Sequence, residues 1–255
     1  MSNRSIHTLL KNWDEECPLT REEAVEVLNL PEEEMDSLME CAYALRTKYK
    51  GKKVSVQLLT NVRSGNCTQN CAYCAQSKDS QAEIEKYKRV SDEKLYGDND
   101  LVDEKHLARH CIGLSGIGFS DEEIEDLADR IREMKKKDTQ ICCSIGFLTE
   151  KQARILKDAG LDRINHNLNS SRSFYPEICT THTYDQRVNN IKMLQSLGFE
   201  ICSGGIVGMG ESKEDIVDML MDLREINPES VPINFLLPIP GTKLADRDIS
   251  ELTPD

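Results

Sequence analysis

From Val54 onward the chain alternates short β-like runs with amphipathic helical stretches, and this alternation constrains the fold more than any other feature. The runs are 54–60 (VSVQLLT), 110–115 (HCIGLS), 140–146 (QICCSIG), 162–168 (DRINHNL), 199–207 (FEICSGGIV) and 230–236 (SVPINFL). Helices are expected near 120–136, 149–159, 184–197 and 213–225. Strands that alternate with helices pair in parallel, with the helices on the outer face. Six strands cannot close the standard eight-stranded barrel. The sequence therefore predicts an α/β fold: a partial TIM-type barrel, an open arc of about six parallel strands with outer helices, plus an N-terminal helical segment. The division expected is residues 1–50 as helical extension and 51–255 as barrel core. In the extension, Thr20-Arg21-Glu22-Glu23 is a capping box ahead of Ala24, Val25, Val27 and Leu28. A second helix is expected over 32–49, with Met35, Leu38, Met39, Ala42 and Leu45 on one face, and both should pack outside the arc.

Side chains alternate across a strand, so each run divides into two faces. Cys111, Gly113 and Ser115 oppose Ile112 and Leu114; Cys142, Ser144 and Gly146 oppose Ile141, Cys143 and Ile145. Asn165, Asn167 and Asn169 oppose Ile164, His166 and Leu168, and Asn234 opposes Ile233 and Phe235. The apolar faces suit the covering helices. The other faces carry Cys, Ser, Gly and Asn where a filled barrel carries Val, Ile and Leu. An unpartnered buried polar group costs about 1–3 kcal/mol. A row of them implies a hollow arc that binds something polar.

The net charge of −13 repels polyanions and argues against a nucleic-acid partner. No run approaches the roughly 18 apolar residues of a membrane span. The first residues carry no apolar secretory signal, so a cytoplasmic location is expected. Ten cysteines is a high number for that compartment, where clustered thiols point to metal or redox chemistry rather than disulfides.

The sharpest cluster is Cys67-Thr-Gln-Asn-Cys71-Ala-Tyr-Cys74, just past the first strand. Three thiolates in one short loop can hold three corners of a cube-shaped 4Fe-4S cluster and leave the fourth iron open to a small molecule. A structural zinc site closes with four ligands, and no fourth Cys or His stands at zinc spacing nearby. Zinc, or thiols without metal, is the competing reading.

C-x-x-x-C-x-x-C at this place resembles the signature of the radical S-adenosylmethionine (SAM) superfamily. The resemblance implies that the open iron chelates SAM, whose reductive cleavage yields a hydrogen-abstracting 5′-deoxyadenosyl radical. It places Tyr73 beside the adenine, where a plain packing aromatic is the alternative. Gly204, Gly205, Ile206, Gly208 and Glu211 resemble the superfamily's adenine-supporting G-x-I-x-G-x-x-E element. Glycine there would let backbone approach a flat ligand, although turns also use glycine.

The stretches CTQNCAYCAQS (67–77), INHNLNSS (164–171), YPEICTTHTY (175–184), ICSGGIVGMGE (201–211) and SVPINFLLPIPGTKLAD (230–246) resemble the biotin synthase family. That resemblance implies insertion of sulfur into dethiobiotin at the expense of two SAM molecules. It also implies an auxiliary Fe-S cluster, 2Fe-2S or 4Fe-4S, as sulfur donor. Cys111, Cys142 and Cys202 match the auxiliary ligands; three small buried hydrophobes are the alternative. Asn167 and Asn234 match residues that bond the substrate's ureido ring, and Asn165 belongs to the same ladder. Asn169 stands where Asp commonly binds the ribose of SAM. Arg187 matches an arginine near the SAM carboxylate, with a surface helix arginine as an equal reading. A flavodoxin or ferredoxin-type reductant and a homodimer are implied by resemblance alone.

Family members continue past Asp255, with two further strands and an arginine ligand of the auxiliary cluster. Cys143 should face the helices, unless a bulge recruits it to a four-iron centre; Cys179 is an unassigned loop thiol. His166 reads as a satisfied core residue and His182 as a loop cap. Two rival functions stand beside the first: another radical enzyme of this group, such as a hydrogenase-cofactor maturase, and a non-enzymatic iron–sulfur protein.

Overall fold

A computed structural model describes residues 19–249; the outer ends of both expected segments, 1–18 and 250–255, lie outside the described residues. The chain opens with α1 (Arg21–Leu28), a 3-10 turn (Glu32–Glu34) and α2 (Met35–Lys50). Then follow β1 (Gln57–Arg63), α3 (Asp92–Glu104), β2 (Arg109–Leu114), α4 (Asp121–Met134), β3 (Ile141–Ser144) and α5 (Glu150–Asp158). The second half holds β4 (Arg163–Asn165), α6 (Tyr175–Ile178), α7 (Tyr184–Ser196) and β5 (Glu200–Cys202). It ends with β6 (Gly205–Val207), α8 (Lys213–Ile226) and β7 (Ile233–Phe235).

Strands β1 to β5 form one parallel sheet in chain order, and β6 pairs in parallel with β7. The run expected over 199–207 is thus divided, because the chain changes partner at Ser203 and Gly204. Backbone bonds Ser230 N→Ile201 O (3.2 Å), Ser203 N→Ser230 O (3.0 Å) and Gly205 N→Pro232 O (3.1 Å) carry the pairing across the break. A parallel bridge between Asn169 and Gly205 ties β6 back to the segment after β4. The expected arc is present, with its members in chain order. Its first strand starts three residues late, leaving Val54 at 77% and Val56 at 56% exposure.

Register explains the core. Thr60, Ile112, Cys143, Ile164 and Ile201 lie side by side across β1–β5. All five are buried beneath the helices, and burying an Ile contributes about 1.5–3 kcal/mol. The ladder through Cys143 is unbroken, so no bulge turns that thiol toward the cavity. Helix α4 presents Ile124, Leu127, Ala128, Ile131 and Met134 to this layer at helical spacing. Capping boxes start α4 (Ser120 and Glu123), α5 (Thr149 and Gln152), α7 (Thr183 and Gln186) and α8 (Ser212 and Asp215). Each satisfies N–H groups that an uncapped helix start would leave open.

Helix α3 carries no clear apolar stripe, because its buried face is Leu95, Asp98, Asn99 and Val102. The polar half is bonded inward. Thr60 Oγ1 donates to Asp98 Oδ2 (2.6 Å), and His110 spans Thr60 (2.8 Å) and Asn99 Oδ1 (3.1 Å).

The N-terminal helices behave differently from one another. Helix α1 lies against α8, where Arg21 pairs with Asp218 (2.5 Å) and Arg224 donates to the Leu19 carbonyl (2.6 Å). Helix α2 buries none of its side chains, and Met39 on its apolar face is 64% exposed. The expectation that both pack on the outside therefore holds for α1 alone. Among the described residues, no helix is long and apolar enough to cross a membrane.

Candidate active site

Past β1, the loop bearing Cys67, Cys71 and Cys74 is fastened to the segment after α6. Ala72 N donates to the Ile178 carbonyl (2.8 Å), and Asn70 N to Thr181 Oγ1 (3.2 Å). Asn70 Nδ2 donates to Thr180 Oγ1 (2.7 Å), while its Oδ1 accepts from Thr180 N (3.0 Å) and Thr181 N (3.2 Å). This fastening brings two buried residues, Cys179 and His182, against Cys71. The Cys71 and Cys179 sulfurs are 3.8 Å apart, and Cys179 Sγ is 3.3 Å from His182 Nδ1. The three ligand atoms lie within 4.8 Å of one another. The chain near the motif offers no further Cys or His, but the fold supplies both from more than 100 residues away. The Cys179-x-x-His182 pair was the available signal, and spacing alone does not say what it faces.

The loop closes one side of a cavity of about 280 Å³. Cys67, Cys71, Tyr73 and Cys74 line that side, and Asn165, Asn167, Asn169, Ile206 and Asn234 line the sheet side. Burial pushes the Tyr73 hydroxyl well above its ordinary value, keeping it neutral. Asn169 sits at φ 72°, a left-handed conformation Asn tolerates, and its backbone bonds both Gly204 and Ile206. The Asn167 side-chain oxygen accepts from Gly204 N (3.1 Å), so its NH2 is the end left for a ligand.

Arg187 points inward from α7, which overturns its reading as a surface arginine. It donates to Tyr175 Oη (2.5 Å), to the Asn167 carbonyl (3.1 Å) and to His182 Nε2 (2.8 Å). Two of its five N–H groups stay available to the cavity it lines. His166 is a second correction. Strand β4 ends at Asn165, alternation lapses, and the ring lines the cavity edge-on to Phe147 with no partner for Nε2. Burial, with help from Arg187, holds its value down to about 3.

Gly204, Gly205, Gly208 and Glu211 stand behind the cavity wall rather than on it. A Cβ on Gly204 would meet the Pro232 carbonyl, and one on Gly205 the Met219 sulfur. Glycine is required there by the approach of the β7 segment and α8. Gly208, at φ 99°, donates its N–H to Glu211 Oε1 (2.6 Å), which fixes the turn after β6.

The other cysteines lie deeper. Leu59, Cys111, Cys142, Arg163 and Glu200 form one inward register row. Asn61, Gly113, Ser144, Asn165 and Cys202 form the next row toward the loop. Cys111 Sγ bonds Gln57 Oε1 and Cys142 Sγ bonds Asn165 Oδ1, both at 2.9 Å. Glu200 holds two guanidinium groups beside these thiols, Arg109 at 2.7 Å and Arg163 at 2.8 Å.

Known proteins match this chain in sequence and in fold. Residues 61–223 match the Radical SAM superfamily. The biotin synthase of Geobacillus kaustophilus is 41% identical over 237 residues, which cover 92% of this chain and 71% of that protein. For the biotin synthase of Bacillus subtilis strain 168 the identity is 40%, over 92% of this chain and 70% of that protein. In fold, the chain superposes on methylornithine synthase with a TM-score of 0.85 at 19% identity, covering 97% of this chain and 72% of that one. The FeFe-hydrogenase maturase HydG of Carboxydothermus hydrogenoformans gives 0.78 at 20% identity, over 93% of this chain and 58% of the maturase. The chain thus belongs to the radical SAM superfamily, whose members carry a 4Fe-4S cluster and bind SAM, and within it to the biotin synthase family.

Proposed function

We propose that this protein is a biotin synthase, which inserts sulfur into dethiobiotin with SAM as radical source. The observation that carries the reading is the two-tier placement of thiols on one sheet. Cys67, Cys71 and Cys74 sit at the carboxyl end of β1, and Cys111, Cys142 and Cys202 occupy inward rows below them. Asn165, Asn167 and Asn234 lie on the cavity wall.

The donor sets fit the implied groups. Three half-buried thiols on one fastened loop suit a 4Fe-4S cluster with an open iron. Three inward thiols beside two guanidinium groups suit an anionic auxiliary cluster with labile sulfide. When bound, the first cluster delivers an electron that cleaves SAM, and the second supplies the sulfur atom.

The chain's own residues bind and orient. The two free N–H groups of Arg187 meet the SAM carboxylate, held in aim by Tyr175, His182 and the Asn167 carbonyl. Tyr73 and Ile206 flank the adenine, and Asn169 accepts from a ribose hydroxyl. Gly204, Gly205, Gly208 and Glu211 act by shaping the wall that carries Ile206. Asn167 donates its NH2 to the ureido oxygen, and Asn234 completes the ring contact. A cytoplasmic homodimer reduced by a flavodoxin or ferredoxin-type protein accompanies this reading.

The test is anaerobic reconstitution followed by Mössbauer spectroscopy and assay of biotin from dethiobiotin. Two cluster types and biotin formation are expected. Loop-cluster signals with 5′-deoxyadenosine but neither an auxiliary cluster nor biotin would instead indicate another radical enzyme, such as a hydrogenase-cofactor maturase. No reductive cleavage of SAM at all would leave a non-enzymatic iron–sulfur protein.

A further inference from the structure

Cys179 has no part in the chemistry described so far, yet it is buried and in contact with Cys71. Its possible hydrogen bonds can be counted. Asn70 Oδ1 lies 3.5 Å away, but that oxygen already accepts from Thr180 N, Thr181 N and Thr181 Oγ1 (3.1 Å). A carbonyl oxygen has two lone pairs, so it has none left for a thiol. His182 Nε2 faces Arg187 at 2.8 Å, and a guanidinium can only donate. Nε2 is therefore the acceptor and Nδ1 carries the proton, aimed between Gln69 Oε1 (2.9 Å) and Cys179 Sγ (3.3 Å). Thr181 Oγ1, 3.5 Å away, takes the Asn70 N–H and gives its own proton to Asn70 Oδ1, so it keeps one lone pair as a neutral acceptor. His182 Nε2, also 3.8 Å away, spends its lone pair on Arg187. The acceptors open to the Cys179 proton are thus that hydroxyl and the Cys71 sulfur at 3.8 Å, and of the two only the sulfur, as an iron-bound thiolate, would carry negative charge.

We propose that Cys179 is a positioning residue: its S–H donates to the Cys71 sulfur and raises the reduction potential of the cluster that Cys71 holds. The inference rests on the reading of Cys71 as a cluster ligand. An iron-bound thiolate has no proton, so within the pair Cys179 is the donor. A hydrogen bond to a ligating sulfur withdraws electron density and favours the reduced cluster. The line of contacts runs from Arg187 through His182 to Cys179 and Cys71, and thus joins the group assigned to the SAM carboxylate with a ligand of the metal that reduces SAM. Cys179 is not itself a fourth ligand. Two sulfurs in contact cannot occupy separate corners of one cube, and the His182 nitrogen nearest them carries a proton.

The experiment is an EPR-monitored redox titration of the reconstituted holoenzyme. Cys179→Ala, and Cys179→Val as a second variant that fills the volume, should retain the cluster. At fixed potential their reduced-to-oxidised ratio should fall roughly fivefold, the change one hydrogen bond of ordinary strength produces. Cys179→Ser keeps a donor and should lie nearer to wild type. Cys143→Ala, a thiol in the helix-facing core, should not shift the couple. Equal potentials in wild type and both donor-free variants, or serine tracking alanine, would overturn the proposal. So would zinc in the isolated protein that disappears with Cys179→Ala. A wild-type protein with no cluster on Cys67, Cys71 and Cys74 would fail the parent reading, an outcome distinct from an unshifted couple.

Discussion

The loop thiols and the strand thiols are held in opposite ways. Cys67, Cys71 and Cys74 ride on irregular chain whose position depends on side-chain bonds to residues 178–182, chiefly those of Asn70. Cys111, Cys142 and Cys202 are fixed by backbone register within a parallel sheet. A loop can adjust around a small molecule that comes and goes, whereas a sheet row fixes spacing between ligands. Under the proposed function, that difference suits a centre that would admit SAM above and one that would hold sulfur in place below.

The strongest way to break the comparison is to remove one thiol from each tier. Cys71→Ala should reduce 5′-deoxyadenosine to background, measured by chromatography. Cys142→Ala should leave 5′-deoxyadenosine within a few-fold of wild type while biotin falls to background. If both variants lose both products alike, the two tiers have no separate roles.

A milder probe acts on the supports. Asn70→Ala removes the fastening of the loop, and iron affinity there should weaken by about 10–100-fold, the usual effect of losing an outer partner. Auxiliary iron should stay at wild-type occupancy in the same Mössbauer spectrum. Glu200→Gln is the mirror experiment, since it frees Arg109 and Arg163 beside the lower thiols. Glu200 is partly exposed, so the expected loss is about tenfold in auxiliary-cluster retention, with the loop cluster unchanged. Crossed effects, loop variants emptying the floor or the reverse, would show one coupled site.

The smallest effect is on pH dependence. His166 stands at about 3 in the fold against 6.5 unfolded, so the unfolded chain binds the extra proton. Its contribution to stability is complete above 6.5 and is lost as pH falls from there through the folded value. The melting temperature should decline with acidification below that point, and His166→Gln should flatten the slope. An unchanged slope would mean the ring is charged in the fold.

Much of this was legible in the chain. Alternation at period two separated Ile112, Cys143 and Ile164 from Cys111, Cys142 and Asn165, and the register rows reproduce that division. It failed where strands end: His166 lies one residue past β4, so its face no longer followed from counting. Helix α3 was missed because half of its buried face is polar, bonded to partners on other strands. The approach of Cys179 to Cys71 was beyond reach for a related reason. It is made by Asn70 contacts that span about 110 residues, and no local pattern encodes them.

The change of partner at Ser203 and Gly204 leaves the last pair, β6 and β7, joined to the larger sheet through only a few bonds. Every residue of β7 is exposed, whereas the middle of β4 is buried. Local opening is easiest where the fewest apolar contacts are lost, so backbone amides of the β6–β7 pair, beside Asn234, are expected to exchange with solvent sooner than those of β4, beside Asn165.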